Sequence, residues 1–249
     1  MRPSALALSV CLLFPALALA DAAALAAKLD ALYANRDDAA ATKDTEATLS
    51  EALKESPNDY EILWRASRWK YWLSDDPSID DRLKKQLGKE GWMLGDRASK
   101  ANPDRPEGYY YAAIGMGSYS QAVGILKALG EGLEGQYNDR LDKAMKMDDA
   151  MDNSGPLVAK GRYYYELPWP KRDLGKSKEL YEKVIARHPN HTRTHVYLAE
   201  TLLKDGDAKG AKVEIDKALN GSVAYDPPDG RRMQRVAKPI AEKIQGELQ

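Results

Sequence analysis

The chain has 249 residues, a formal net charge of −1 and 43% hydrophobic residues, which bounds it to one large domain or one repeat array. Its 37 basic and 38 acidic side chains give no basic footprint, so no nucleic-acid partner is expected. The one cysteine, Cys11, excludes an internal disulfide and a cysteine-based metal centre.

Arg2 precedes an apolar run from Leu6 to Leu19, and Ala18-Leu19-Ala20 forms a small-x-small cleavage site. This pattern predicts a cleavable signal peptide over residues 1–20 and a single helical-repeat domain over residues 21–249. Cys11 lies early in the apolar run behind Val10, where a lipid-attachment box would need a small residue, so no lipobox is present. Cleavage removes the only cysteine and the only phenylalanine, Phe14, leaving tyrosine and tryptophan as the aromatics. Both have an apolar body and a polar tip, which suits grooves as well as cores. No later apolar run approaches ~18 residues, so no membrane span is expected.

Strand patterns are absent, and helical periodicity recurs from end to end. The predicted helices are Ala22–Tyr33, Thr45–Glu55, Tyr60–Leu73, Asp80–Ala101, Glu107–Ala128, Tyr137–Met151, Leu157–Glu166, Leu174–Arg187, Thr192–Lys204, Ala208–Leu219 and Gly230–Gly246. Proline-bearing stops separate many of them, at Pro57, Pro103, Pro156 and Pro189. Proline lacks the amide proton that a helix interior needs, so each stop ends one helix and lets another begin.

The clearest repeat follows Pro189. Leu198-Ala199 supplies a large–small pair, Leu202 follows, Gly206-Asp207 makes the turn, and Ala211, Ile215 and Ala218 fall on the second helix. Small residues let two helix backbones approach while large ones fill the seam. Ala52 with Pro57, Ala98 with Pro103, and Tyr181 and Val184 with Pro189 match the tails of further repeats. The expected fold is all-α: tetratricopeptide-like stacked helix pairs, an α-solenoid of four to five degenerate repeats, with the best signal over residues 107–219.

Little catalytic or metal chemistry emerges. His188, His191 and His195 cluster, but Pro189 breaks the helix between them and no fourth ligand is evident, so neither a metal nor another cofactor is expected. Gly115-Met116-Gly117 lacks the preceding strand of a phosphate loop, and its glycines fit close helix packing or a ligand against the backbone. The aspartates from Asp75 to Asp81 lack calcium-loop spacing and read as a solvated loop with a helix cap. No nucleophile elbow appears, and the chain is not expected to be an enzyme.

The aromatics and two charges carry the binding expectation. Consecutive helical residues diverge by about 100°, so Tyr109-Tyr110-Tyr111 and Tyr163-Tyr164-Tyr165 each offer tyrosines to the core and to a groove. Trp169 lies between two prolines and either plugs an inter-helix seam or lines a pocket. Arg162 and Glu200 both fall on first helices, where they would meet as an ion pair or leave Arg162 to grip an organic carboxylate. The candidate groove is therefore Tyr109, Tyr110, Tyr119, Arg162, Tyr163, Trp169 and Glu200.

Several stretches carry a family resemblance. They are Glu107-Gly108-Tyr109-Tyr110-Tyr111-Ala112-Ala113, Gly115 to Ser120, Leu141-Asp142-Lys143-Ala144, Gly161-Arg162-Tyr163-Tyr164, Leu167-Pro168-Trp169-Pro170 and Tyr197-Leu198-Ala199-Glu200. Together they resemble the T component of TRAP transporters, a family of periplasmic tetratricopeptide-like proteins. The resemblance implies a periplasmic homotrimer that assists uptake of small organic solutes. Its partner would be the transporter's solute-binding protein, and its ligand a small organic acid or an apolar molecule. A generic tetratricopeptide adaptor for protein assembly in the cell envelope is the alternative expectation.

Overall fold

The structure is a computed structural model that describes residues 14–249, with side chains from residue 23 onward. The predicted signal peptide lies outside the residues whose side chains are described. Among the described residues there are twelve helices and no strand. They are α1 (Phe14–Tyr33), α2 (Ala39–Glu55), α3 (Tyr60–Ser74), α4 (Asp81–Ala101), α5 (Pro106–Val123) and α6 (Ile125–Gly130), followed by α7 (Leu133–Met147), α8 (Met151–Glu166), α9 (Leu174–Arg187), α10 (Thr192–Lys204), α11 (Ala208–Asn220) and α12 (Pro227–Glu247).

Aspartate opens six of these twelve helices. Asp38, Asp59, Asp80, Asp173, Asp207 and Asp226 each accept an amide proton from the first turn of the next helix. Such a cap satisfies an otherwise orphaned donor and contributes about 1 kcal/mol. The expected single helix over Glu107–Ala128 is broken at Gly124, whose φ of 89° no side-chain-bearing residue adopts readily. The break creates the short α6, and a second positive φ at Gly132 turns the chain into α7.

The helices stack as pairs: α1 with α2, α3 with α4, α5 with α7, α8 with α9, and α10 with α11, with α12 closing the end. The pair after Pro189 is packed as its pattern predicts. Ala199, Ala211, Ile215 and Ala218 have no accessible surface, and they join Tyr181, Val184 and Val196 in one core. The α4–α5 seam is tighter still. A Cβ on Gly95 would lie 2.5 Å from the Ala112 amide nitrogen, and one on Gly115 would lie 2.6 Å from that of Trp92. The glycines at 108 and 115 thus serve backbone-to-backbone approach, whereas Gly117 faces open space lined by Tyr137.

The stack closes on itself. Arg36, just after α1, bonds Asp226 at 2.6 Å, and Arg231 of α12 bonds Asp37 at 2.7 Å. Arg232 donates to the Trp72 carbonyl at 2.7 Å with its guanidinium 3.2 Å from the Trp72 ring centre. Asp75, expected in a solvated loop, instead takes Arg193 of α10 at 2.6 Å, while Asp80 does cap α4. The two ends of the array therefore meet across the interior.

Candidate functional site

Closure leaves a hollow of about 880 Å³, its open mouth included. Its wall comes from helices distant in sequence. Tyr33 and Arg36 come from the α1 end, Tyr71, Trp72 and Asp75 from α3, Tyr110, Ile114 and Gly117 from α5, and Tyr137 from α7. Asp152 and Arg162 of α8, Arg193 and Tyr197 of α10, and Asp226 and Asp229 at the start of α12 complete it. A second space of about 550 Å³ adjoins it, sharing Gly117, Gln121, Tyr137 and Arg162. Ile125, Ala128, Leu129, Leu133 and Leu167 make that outer chamber apolar.

Most charges in the inner chamber are matched. Arg36 holds Asp226, its guanidinium lying over the rings of Tyr33 and Trp72 at 4.1 and 4.4 Å. Arg193 bridges Asp75 and Asp229 and donates to the Tyr197 hydroxyl at 2.8 Å. Burial alone would raise the pKa of Asp229, but Arg193 holds it below the ordinary carboxylate value. Arg162 bonds Glu200 at 2.6 Å and Glu166 at 2.7 Å. Burial disfavours its charge, yet the two carboxylates hold its pKa above the usual arginine value. With both acidic partners in place, its fork is not free to grip an organic carboxylate.

Asp152 differs. It sits in a left-handed turn, Asp152-Asn153-Ser154, with φ of 50°, 56° and 62° and ψ of 49°, 43° and 32°. The left-handed conformation costs L-residues roughly 1–2 kcal/mol each, least for Asp and Asn. Gly155 follows because a Cβ there would lie 2.2 Å from the Tyr110 hydroxyl, and Pro156 then starts the regular part of α8. The turn was legible as a helix stop, but not its handedness. Among the described residues, no arginine or lysine lies within ion-pair distance of Asp152. Its carboxylate is met by tyrosine hydroxyls instead, that of Tyr111 at 3.4 Å and that of Tyr110 beside it.

The expected groove residues divide. Tyr110 and Arg162 line the inner chamber, and Arg162 and Tyr163 line the outer one. Tyr163 stacks on Tyr137 with ring centres 5.7 Å apart and donates to Glu134 at 2.9 Å. Tyr109 packs on the central core beneath Lys143, and Tyr119 packs edge-on against Trp92. Glu200 serves Arg162 and lines neither chamber. Trp169 neither plugs a seam nor lines a pocket: it stands 85% exposed on the linker between Pro168 and Pro170. Sequence reasoning missed Tyr33, Arg36, Tyr71, Trp72, Asp152, Arg193, Asp226 and Asp229.

The histidines have separate duties. His191 caps α10 by accepting from the Thr194 amide at 3.3 Å, and burial depresses its pKa to about 4. His195 bonds Glu214 at 2.6 Å and the Pro189 carbonyl at 2.8 Å, so both its nitrogens are engaged. His188 lies 3.2 Å from the Ser154 hydroxyl, but Ser154 has no accessible surface and its oxygen also accepts from Arg187. A substrate has no path to that hydroxyl. Among the described residues, no three or more metal-ligating side chains converge.

Comparison with known proteins corrects the family resemblance. A family model described as "Regulator of microtubule dynamics protein 1-3" matches residues 25–245. The stretches that resembled the TRAP T component have packing explanations instead. Gly161 makes room for the Tyr181 ring, Arg162 is an ion-paired wall residue, and Trp169 is a linker residue. With that resemblance go its transport role, its solute-binding protein as partner and the basis for a homotrimer. No curated protein matches the chain.

Among solved structures, TTC0263, a thermophilic TPR protein in Thermus thermophilus, superposes with a TM-score of 0.61 at 20% identity, covering 88% of this chain and 97% of that one. Yeast Tom70 matches with a TM-score of 0.41 at 15% identity, covering 82% of this chain and 44% of its own. The Thermus match establishes the tetratricopeptide-like fold, an architecture that suits protein–protein contacts. By the match across residues 25–245, the chain belongs to the regulator of microtubule dynamics 1-3 family.

Proposed function

We propose that the protein is a non-catalytic binding scaffold that takes an apolar segment of a partner protein at the mouth of the outer chamber. The observation that carries this reading is a pair of large exposed apolar side chains on the two segments that also supply the outer chamber's apolar wall. Leu126 of α6 is 74% exposed and Trp169 is 85% exposed. Their neighbours Ile125, Leu129 and Leu167 line the chamber, and the Lys171–Glu134 pair ties the Trp169 linker to α7. Large exposed apolar side chains beside an apolar hollow mark interaction surfaces. The non-catalytic reading rests on chemistry already spent: the inner arginines are ion-paired and the Ser154–His188 pair is closed to substrate. Export through the signal peptide belongs to the same reading, and the family match begins at residue 25, beyond the predicted cleavage after Ala20.

The test places a photo-crosslinking phenylalanine analogue at Leu126, Trp169 or the control Val213, which is exposed on α11. In the native host, irradiation is expected to give one discrete protein adduct from positions 126 and 169 and none from 213. Equal adducts from all three, or none from the first two, would overturn the reading.

The family description favours a second reading, an effect on microtubule dynamics. Tubulin turbidity traces with and without the protein test it directly. An unchanged polymerisation rate at equimolar protein removes that reading.

A further inference from the structure

The inner chamber poses a charge problem that the partner-binding reading leaves unused. Four carboxylates face it, Asp75, Asp152, Asp226 and Asp229, with three guanidiniums, Arg36, Arg162 and Arg193. Arg162 is already taken by Glu166 and Glu200. Arg36 serves Asp226, and Arg193 serves Asp75 and Asp229, with Arg232 3.8 Å from Asp75. Of these four carboxylates, Asp152 alone has no ion partner among the described residues and is met only by the hydroxyls of Tyr110 and Tyr111.

The surroundings suit a cation. Asp152 is accessible through the cavity although protein surrounds it. Tyr71, Tyr110 and Tyr137 line the same space, and among the described residues no guanidinium lies over any of these three rings. Aromatic faces attract cations, most strongly where water is displaced. The adjoining chamber offers an apolar continuation through Gly117, Gln121 and Tyr137. Although the Asp152 side chain is exposed to the cavity, the protein around it pushes its pKa up, against the pull of Arg68 and Arg36.

We infer that the inner chamber is a binding site for an organic monocation, a primary or quaternary amine with an apolar tail, with Asp152 as counter-ion. The ammonium group sits against Asp152 and the tyrosine faces, and the tail runs into the outer chamber. A free alkylamine and the side chain of a lysine flanked by apolar residues share this chemistry.

The experiment is calorimetric titration of the chain with octylammonium chloride, octan-1-ol, sodium octanoate and an acetylated, amidated Leu-Lys-Leu tripeptide. Octylammonium or the tripeptide is expected to bind at least tenfold tighter than octanol, and octanoate weakest. Whichever cation binds more tightly identifies the source. Asp152→Asn should abolish the preference for the cation over octanol while keeping the octanol affinity. Asn tolerates the left-handed backbone, so this variant is expected to fold. Asp152→Glu, which keeps the charge, should retain at least part of the preference and guards against a folding defect. Equal affinity for octylammonium and octanol, a preference for octanoate, or an undiminished cation preference in Asp152→Asn would each overturn the inference, as would failure of both cations to bind.

Discussion

The repeat built from α9, α10 and α11 and the wall of the inner chamber are held by different physics. In the repeat, Val184, Ala199, Ala211, Ile215 and Ala218 are fully buried within a few dozen residues of one another. In the wall, Arg193 reaches Asp75 across 118 positions, and Arg36 reaches Asp226 across 190. The repeat is local, apolar and additive. The wall is non-local and ionic: Arg193 answers carboxylates from two distant parts of the array, and Arg36 answers one from its far end. Apolar repeats extend the solenoid, and charge pairs decide where its ends meet.

The largest expected effect removes a hub of that closure. Arg193→Ala leaves Asp229 unpaired in a buried wall and Asp75 with only Arg232 at 3.8 Å, and should cost about 3–5 kcal/mol, measured by urea denaturation. Pairing Arg193→Met with Asp229→Leu should recover most of the loss, since well-packed apolar groups can replace a buried ion pair. If the double variant is as unstable as Arg193→Ala, the closure depends on charge itself and the contrast with the repeat deepens.

Ile215→Ala probes the other region. Ile215 is fully enclosed by the α10–α12 core, and truncation should cost about 3–4 kcal/mol through lost burial and a residual cavity. The amine affinity of the inner chamber should stay within twofold of wild type. A collapse of that affinity would show that repeat and wall are mechanically one unit.

A third prediction uses pH at the junction of the two regions. His191 is buried against Tyr225, near Asp229, Arg193, His188 and His195, and burial holds its pKa at about 4 against an ordinary 6.5. Below pH 6.5 the unfolded chain takes up a proton that the folded chain refuses. Stability contributed by neutral His191 is therefore complete above pH 6.5 and lost as pH falls towards 4, by roughly 3 kcal/mol. Denaturation midpoints from pH 7 to pH 4 test this, and His191→Gln should flatten the profile by that amount.

These two regions also differ in how far they were readable in advance. The helices Leu174–Arg187 and Thr192–Lys204 fall where periodicity and capping put them, because their signals are local. The array of stacked pairs followed from the same signals. The α5–α6 break did not, since a lone glycine such as Gly124 is often tolerated inside a helix. Tyr110, Arg162 and Tyr163 reached the chambers because they lie on first helices, which face inward. Trp169 failed because a proline-flanked linker has no periodicity to orient it. Arg36, Asp75 and Arg193 were not legible at all: their meaning depends on partners more than a hundred residues away.

The smallest effect separates strain from packing at the left-handed turn. Asn153 holds φ 56° and ψ 43° between Asp152 and Ser154, and its side chain hydrogen-bonds to none of the described residues. Asn153→Gly should leave stability within about 0.5 kcal/mol of wild type, since glycine enters this region freely but loses more entropy on folding. Asn153→Ala should cost about 1 kcal/mol, and Asn153→Val more, because a branched Cβ is the least tolerant of positive φ. Thermal melts of the three variants give the ranking. If alanine and valine prove as stable as glycine, the turn relaxes to a right-handed path at no cost. Backbone strain would then play no part in placing Asp152 at the chamber, and the wall would differ from the repeat in its ion pairs alone.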